Sequence, residues 1–269
     1  LIKIAPSIAS ADQSRLGWAV QMATQAGADL IHLDLEDGVF LPNITFGPSM
    51  VRALRPYTEL PFDVHVELAN PEPYLEELAQ AEANIVSIHV EACPYLFRTL
   101  RYIRDLGMTP GIAYNASTPL GPLPYVLDEI GVIHLMTADP DLAGQGFLPV
   151  MLAKIREAAE LVGDRPIEIE VDGSINAENA RLVVEAGATI LVVGRAIWGA
   201  EDPARAVSEL RAIAAAIYDA GRCCSTMALG MAPERQLWYT ACAANNQETA
   251  TSHLLLRSAT EEGYWIAAY

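Results

Sequence analysis

The sequence predicts an α/β chain folded as a (β/α)8 TIM barrel with a C-terminal extension, and three observations predict it. Short apolar runs alternate with stretches of helical period from the start to about residue 216. There are eight such strand-then-helix units in roughly 215 residues, the number and size of a closed parallel barrel. No glycine-rich turn of the G-x-G-x-x-G kind follows the first strand, which sets aside a doubly wound open sheet.

In chain order the expected strands are KIAPS (3–7), DLIHLD (29–34), PFDVHV (61–66), NIVSIHV (84–90), TPGIAY (109–114), GVIHLM (131–136), PIEIEV (166–171) and TILVV (189–193). Amphipathic stretches fill the intervals: RLGWAVQMATQAG after the first strand, EPYLEELAQAEA after the third, LFRTLRYIRDLG after the fourth. LPVMLAKIREAAELVG follows the sixth and AENARLVVEAG the seventh. Several close on Gly, the residue that takes a left-handed backbone and ends a helix. Residues 1–217 are assigned to the barrel and 218–269 to an extension of unknown role. The extension is weakly periodic, mixes small polar with aromatic residues, and is open to three readings: helices on the barrel, oligomer contacts, or partial disorder.

The 269 residues suffice for one large domain with an appendage, and the 52% apolar content is that of an ordinary globular protein. A formal charge of −17 argues against nucleic acid or an anionic membrane as the main partner, since both require a basic surface. The four cysteines, Cys93, Cys223, Cys224 and Cys242, contain no C-x-x-C pair, and neighbouring Cys223 and Cys224 are poorly placed to bridge. A reducing, cytoplasmic setting is expected. No apolar run is long enough for a secretion signal or a membrane span, and the start at Leu1 suggests a processed chain.

In a barrel, chemistry gathers at the carboxyl ends of the strands. Side chains alternate along a strand, so His32 and Asp34 share the inward face of the second. Asp63 and His65 stand in the same relation on the third, and Asp172 ends the seventh. Imidazoles and carboxylates converging on the barrel mouth make a divalent-metal site, for which Zn²⁺, Fe²⁺, Mn²⁺ and Co²⁺ all accept mixed N/O ligands. A single strand histidine is more often a hydrogen-bonded core residue, and an acid at a strand end more often caps a helix; coincidence on three strand ends tips the balance. His89 and His134 are read as structural.

The segments IAPSIASAD, IHLDLEDGVFLPNITFGP, DVHVEL, SIHVEA, YNASTP, HLMTADPDLAGQGF, EIEVDGSINAENA and LVVGRAIW, in that order and register, closely resemble the ribulose-phosphate 3-epimerase family over residues 2–213. The resemblance implies that His32, Asp34, His65 and Asp172 hold one divalent metal ion. It also implies that Asp34 and Asp172 are the catalytic acid/base pair that inverts C3 of a ketose phosphate through an enediolate. Ser7 and Met136 resemble substrate-contacting positions, as does His65. A homo-oligomer and a small sugar-phosphate partner are implied as well.

Five places depart from the family pattern. Glu36 and Glu67 stand where the family usually has Met; they either receive a cationic or hydroxyl-rich substrate group or turn to solvent or to a basic partner. The phosphate loops are altered to Pro140-Asp141-Leu142-Ala143-Gly144-Gln145, Asp172-Gly173-Ser174 and Gly194-Arg195. Gly144, Gly173, Ser174, Gly194 and Arg195 are the candidate phosphate contacts, and Arg195 either grips the phosphate or pairs with Asp141. The expected reaction is therefore 3-epimerisation of ribulose 5-phosphate or allulose 6-phosphate. Two other readings are the same chemistry on an unusual or non-phosphorylated sugar, and a non-catalytic binding barrel.

Overall fold

Eight strands that each carry apolar residues at every second position have one physical solution when helices separate them: a parallel ring with the apolar face outward, against the helices. The computed structural model describes residues 2–139 and 146–229. Its strands are β1 (Lys3–Pro6), β2 (Ile31–Glu36), β3 (Phe62–Glu67), β4 (Ile85–His89), β5 (Thr109–Tyr114), β6 (Val132–Met136), β7 (Glu168–Asp172) and β8 (Ile190–Val193). The hydrogen-bonded order is β1-β8-β7-β6-β5-β4-β3-β2, and the pairings are parallel. A parallel bridge between Ser7 and His32 joins the two end strands and closes the ring.

The helices are α1 (Leu16–Gln25), α2 (Pro48–Leu54), α3 (Leu75–Gln80), α4 (Leu96–Asp105), α5 (Leu123–Val126), α6 (Met151–Val162), α7 (Ala180–Ala186), α8 (Arg195–Trp198) and α9 (Pro203–Leu229). Gly187, at φ +121°, ends α7 as the sequence pattern requires. The chain divides into two compact units, Leu1–Asp219 and Ala220–Tyr269. The expected extension lies outside the described residues from 230 onward. Among the described residues, no helix is long and apolar enough to cross a membrane.

The two faces of the strands differ in kind. Ile31, Leu33 and Leu35 of β2, Val64 and Val66 of β3, and Ile169 and Val171 of β7 join one buried core with Val20, Leu78, Ile103, Ile155 and Val183 of the helices. Each such side chain contributes roughly 1.5–3 kcal/mol by leaving water, so this layer carries the stability. The other face is polar. His32, Asp34, Glu36, Asp63, His65, Glu67, His89, His134 and Glu170 are all buried. A barrel interior is ordinarily filled by branched aliphatic residues. Here a small separate cluster of Ala5, Leu30, Ile190 and Val192 is apolar. Histidines and carboxylates from β2, β3, β4, β6 and β7 crowd much of the interior, and that departure positions the site.

Candidate active site

β2 and β3 run in register with His32 opposite Asp63 and Asp34 opposite His65. Because residues two apart share a face, this register gathers two imidazoles and two acids into one patch. His32 Nδ1 donates to Asp63 Oδ2 at 2.6 Å, and its Nε2 donates to Asp34 Oδ1 at 3.0 Å. The second oxygen of Asp34 accepts from Ser7 Oγ at 2.6 Å. Nδ1 of His65 faces Asp34 Oδ1 at 3.3 Å. From β7, Asp172 Oδ2 stands 4.0 Å from His32 Nε2. Ligand atoms of His32, Asp34, His65 and Asp172 all fall within 4.8 Å of one another. The structure thus brings together the four residues expected to hold a metal.

The donor set fits a divalent ion. Two neutral nitrogens and two carboxylate oxygens suit Zn²⁺, Fe²⁺, Mn²⁺ or Co²⁺. Asp63 grips the far nitrogen of His32, the outer bond that orients a histidine ligand. The electrostatics agree. Burial resists charge on His32, but the Asp34 and Asp63 carboxylates prevail and hold the imidazolium well above the usual range. Burial likewise opposes charge on Asp34, yet the His32 cation beside it keeps that carboxyl well below its ordinary value. Asp172 goes the other way: burial, then the charge of Asp34, pushes it up to about 8. Two carboxyls a few ångströms apart are driven to opposite protonation states, the pattern that separates an acid from a base.

Above this cluster opens a cavity of about 730 Å³, lined among others by Ser7, Asp34, Met136, Asp172, Ser174 and Arg195. Gly173 and Gly194 line it too, and at Gly173 the backbone requires glycine. A Cβ on Gly173, at φ +119°, would lie 2.5 Å from the Ala138 nitrogen, and one on Gly194 would lie 2.4 Å from Ser10 Oγ. Arg195 donates to Ser174 Oγ at 2.8 Å. Asp141 and Gly144 lie outside the described residues, so the alternative of an Arg195–Asp141 pair rests there.

Glu36 and Glu67 also line the cavity, at 9% and 2% exposure, so the solvent-facing reading of these two acids is overturned. Glu36 Oε2 accepts from Asn43 Nδ2 at 2.6 Å. Burial and then the Asp34 charge hold Glu67 well above the usual carboxyl range.

Sequence reasoning leaves the roles of three parts of the site unassigned. Asp63 acts as the partner of His32, a relation set by strand register rather than by spacing along one strand. His89, expected to be structural, has its Nε2 2.8 Å from His65 Nε2, and its Nδ1 donates to Glu91 Oε2 at 3.0 Å. The H-x-E spacing of His89 and Glu91 repeats H-x-D of His32 and Asp34, and is the signal that could have drawn attention to both. His134 stacks on His65 with ring centroids 3.9 Å apart and donates from Nδ1 to Glu170 Oε2 at 2.9 Å.

Fold and site define a (β/α)8 barrel with a histidine–carboxylate cluster that could hold a divalent ion at the carboxyl ends of its strands. Comparison with known proteins narrows the class. The model of the Ribulose-phosphate 3 epimerase family matches residues 3–198. A ribulose-phosphate 3-epimerase of Bacillus subtilis is 44% identical over 214 residues, 78% of this chain and 99% of the relative. One from Synechocystis is 46% identical over 214 residues, covering 78% and 93%. Among solved structures, KGPDC from Streptococcus mutans shares the fold, with TM-score 0.62 at 15% identity over 81% of this chain and 99% of that one. The chain belongs to the ribulose-phosphate 3-epimerase family, whose members are isomerases.

Proposed function

We propose that the protein catalyses 3-epimerisation of a ketose phosphate, ribulose 5-phosphate to xylulose 5-phosphate or allulose 6-phosphate to fructose 6-phosphate. The observation that carries this is the placement of Asp34, buried, and Asp172, partly buried, two carboxyls of opposite protonation facing one cavity over a pair of imidazoles. Inversion at carbon needs one group to take the C3 proton and another to return one to the opposite face. Asp34, ionised and oriented by Ser7, is the group that accepts; Asp172, holding its proton, is the group that gives. In the reverse reaction the two exchange roles.

His32, Asp34, His65 and Asp172 would hold the divalent ion. Bound there, it supplies a Lewis acid that stabilises negative charge developing on the substrate oxygens, worth several kcal/mol. Met136 walls the reacting carbons, excluding water from the enediolate. Ser174, Arg195 and the backbone at Gly173 and Gly194 receive the phosphate at the other end of the cavity, with Arg195 offering a charged fork. Buried Glu36 and Glu67 favour a second reading of specificity, in which the same chemistry serves a sugar richer in hydroxyl or amino groups.

Proton NMR in D₂O with metal-loaded enzyme and each ketose phosphate tests the reading. Deuterium at C3 with formation of the epimer is expected. Absence of exchange with both sugars, in protein that holds metal, would assign the barrel to another substrate.

A further inference from the structure

We propose that Glu91 and His89 are positioning residues that select which nitrogen of His65 faces the metal centre, so that the loop after β4 sets the affinity of the site for a divalent ion. The inference rests on the reading of His65 as a ligand and adds two residues outside the donor set.

Counting hydrogens leads to it. A neutral imidazole has one N–H and one lone pair, and an ionised carboxylate only accepts. Glu91 is held as a carboxylate by three donors: His89 Nδ1, the Asn115 N–H at 3.0 Å, and the Thr118 hydroxyl. These hydrogen bonds outweigh partial burial and bring the Glu91 carboxyl down to about 2. With the ring neutral, the His89 hydrogen therefore sits on Nδ1, 3.0 Å from Glu91 Oε2, and its Nε2 keeps the lone pair. That lone pair lies 2.8 Å from His65 Nε2, so His65 must supply the hydrogen between them. The lone pair of His65 is then on Nδ1, which faces Asp34 Oδ1 at 3.3 Å and Glu67 Oε2 at 3.7 Å. The His65 lone pair and the Asp34 carboxylate then face the same point, two of the four donors that would hold an ion.

The opposite tautomer of His65 would place a hydrogen there and close the coordination position. Glu91 prevents this across an intervening ring, that of His89. Its own position is fixed from outside the barrel, where Lys154 of α6 donates to the carbonyls of Asn115 at 2.8 Å and Thr118 at 2.6 Å. The arrangement parallels that of His32, where Asp63 takes the far nitrogen directly. Outer partners of this kind typically change metal affinity by roughly 10–100-fold.

The test uses the full chain with Co²⁺ as the probe, measuring the dissociation constant by chelator competition and the visible absorption of the bound ion. His89→Leu removes the acceptor; we expect roughly 10–100-fold weaker Co²⁺ binding and a shifted band. His89→Gln retains an acceptor oxygen and should return most of the affinity. Glu91→Ala should weaken binding about tenfold. Unchanged affinity and spectrum in Glu91→Ala would overturn the proposal, as would a His89→Gln variant no better than His89→Leu, which would reduce His89 to packing. Altered affinity without turnover of any ketose phosphate would sink the epimerase reading and leave this one standing. Turnover with unaltered affinity would do the reverse.

Discussion

Glu36 and Glu67 stand directly opposite each other on neighbouring strands, both buried and both facing the same cavity. Like charges in that relation oppose sheet pairing. Asn43 satisfies one oxygen of Glu36, whereas Glu67 Oε1 is buried with no hydrogen-bond partner among the described residues. A Glu67→Met variant should therefore be more stable by about 1–3 kcal/mol in denaturant unfolding of the metal-free protein. The sign with pH follows from the raised carboxyl. The folded chain holds a proton that the unfolded chain releases above its ordinary value of 4.5, so native stability falls as pH rises from there. The advantage of Met should be larger at pH 7 than at pH 5; a loss of stability would show that Glu67 has a partner in solution.

Metal affinity should rise with pH. His32 carries a proton on Nε2, held there by the Asp34 and Asp63 carboxylates, and it must leave before that nitrogen can bind an ion. Calorimetric titration with Zn²⁺ or Co²⁺ at pH 7, repeated in buffers of different ionisation enthalpy, should register proton release. Affinity that is flat from pH 6 to 9 would contradict the protonation states described.

Replacement of either acid by its amide leaves shape and removes proton transfer. Asp34→Asn and Asp172→Asn should each lower kcat by about 10²–10⁴ with little change in the far-ultraviolet circular dichroism. Should one of them turn over at the wild-type rate, that residue leaves the acid/base pair.

Arg195 lines the cavity beside Ser174, where the proposed reading places the phosphate. Arg195→Ala should raise KM for a phosphorylated ketose about tenfold, with kcat little altered, because a charge-assisted contact of about 1.5–3 kcal/mol is lost. Free ketose should not distinguish the two proteins. Equal KM values for the phosphorylated sugar would place the phosphate elsewhere.

Gly173→Ala tests the cradle beneath the same end. At φ +119° the new methyl group would press on the Ala138 backbone 2.5 Å away, so strain and steric shift act together. Thermal unfolding should show a loss of about 1–3 kcal/mol. A variant as stable as the parent would mean the loop relocates freely.

The strands are legible in the sequence because they depend on local periodicity, apolar residues at every second position, and His-x-Asp at a strand end marks His32 and Asp34; the grouping of these two with His65 and Asp172 comes with the family resemblance. Glu36 and Glu67 can be marked as unusual but not placed, since their direction depends on whether β2 and β3 continue in register to Glu36 and Glu67. The partners of the histidines are less visible. Asp63 reaches His32 only through that pairing, and Glu170 reaches His134 across β6 and β7. Glu91 lies in plain view two residues after His89, but its importance comes from His65, which belongs to another strand. Hydrogen-bond direction between two rings is a property of the assembled barrel alone.

The bridge between Ser7 and His32 closes the barrel with two residues of the site. His32, Asp34 and His65 come from the adjacent strands β2 and β3, and Asp172 comes from β7, more than a hundred positions later. The cluster of four therefore exists only in a chain whose seventh strand has joined the sheet.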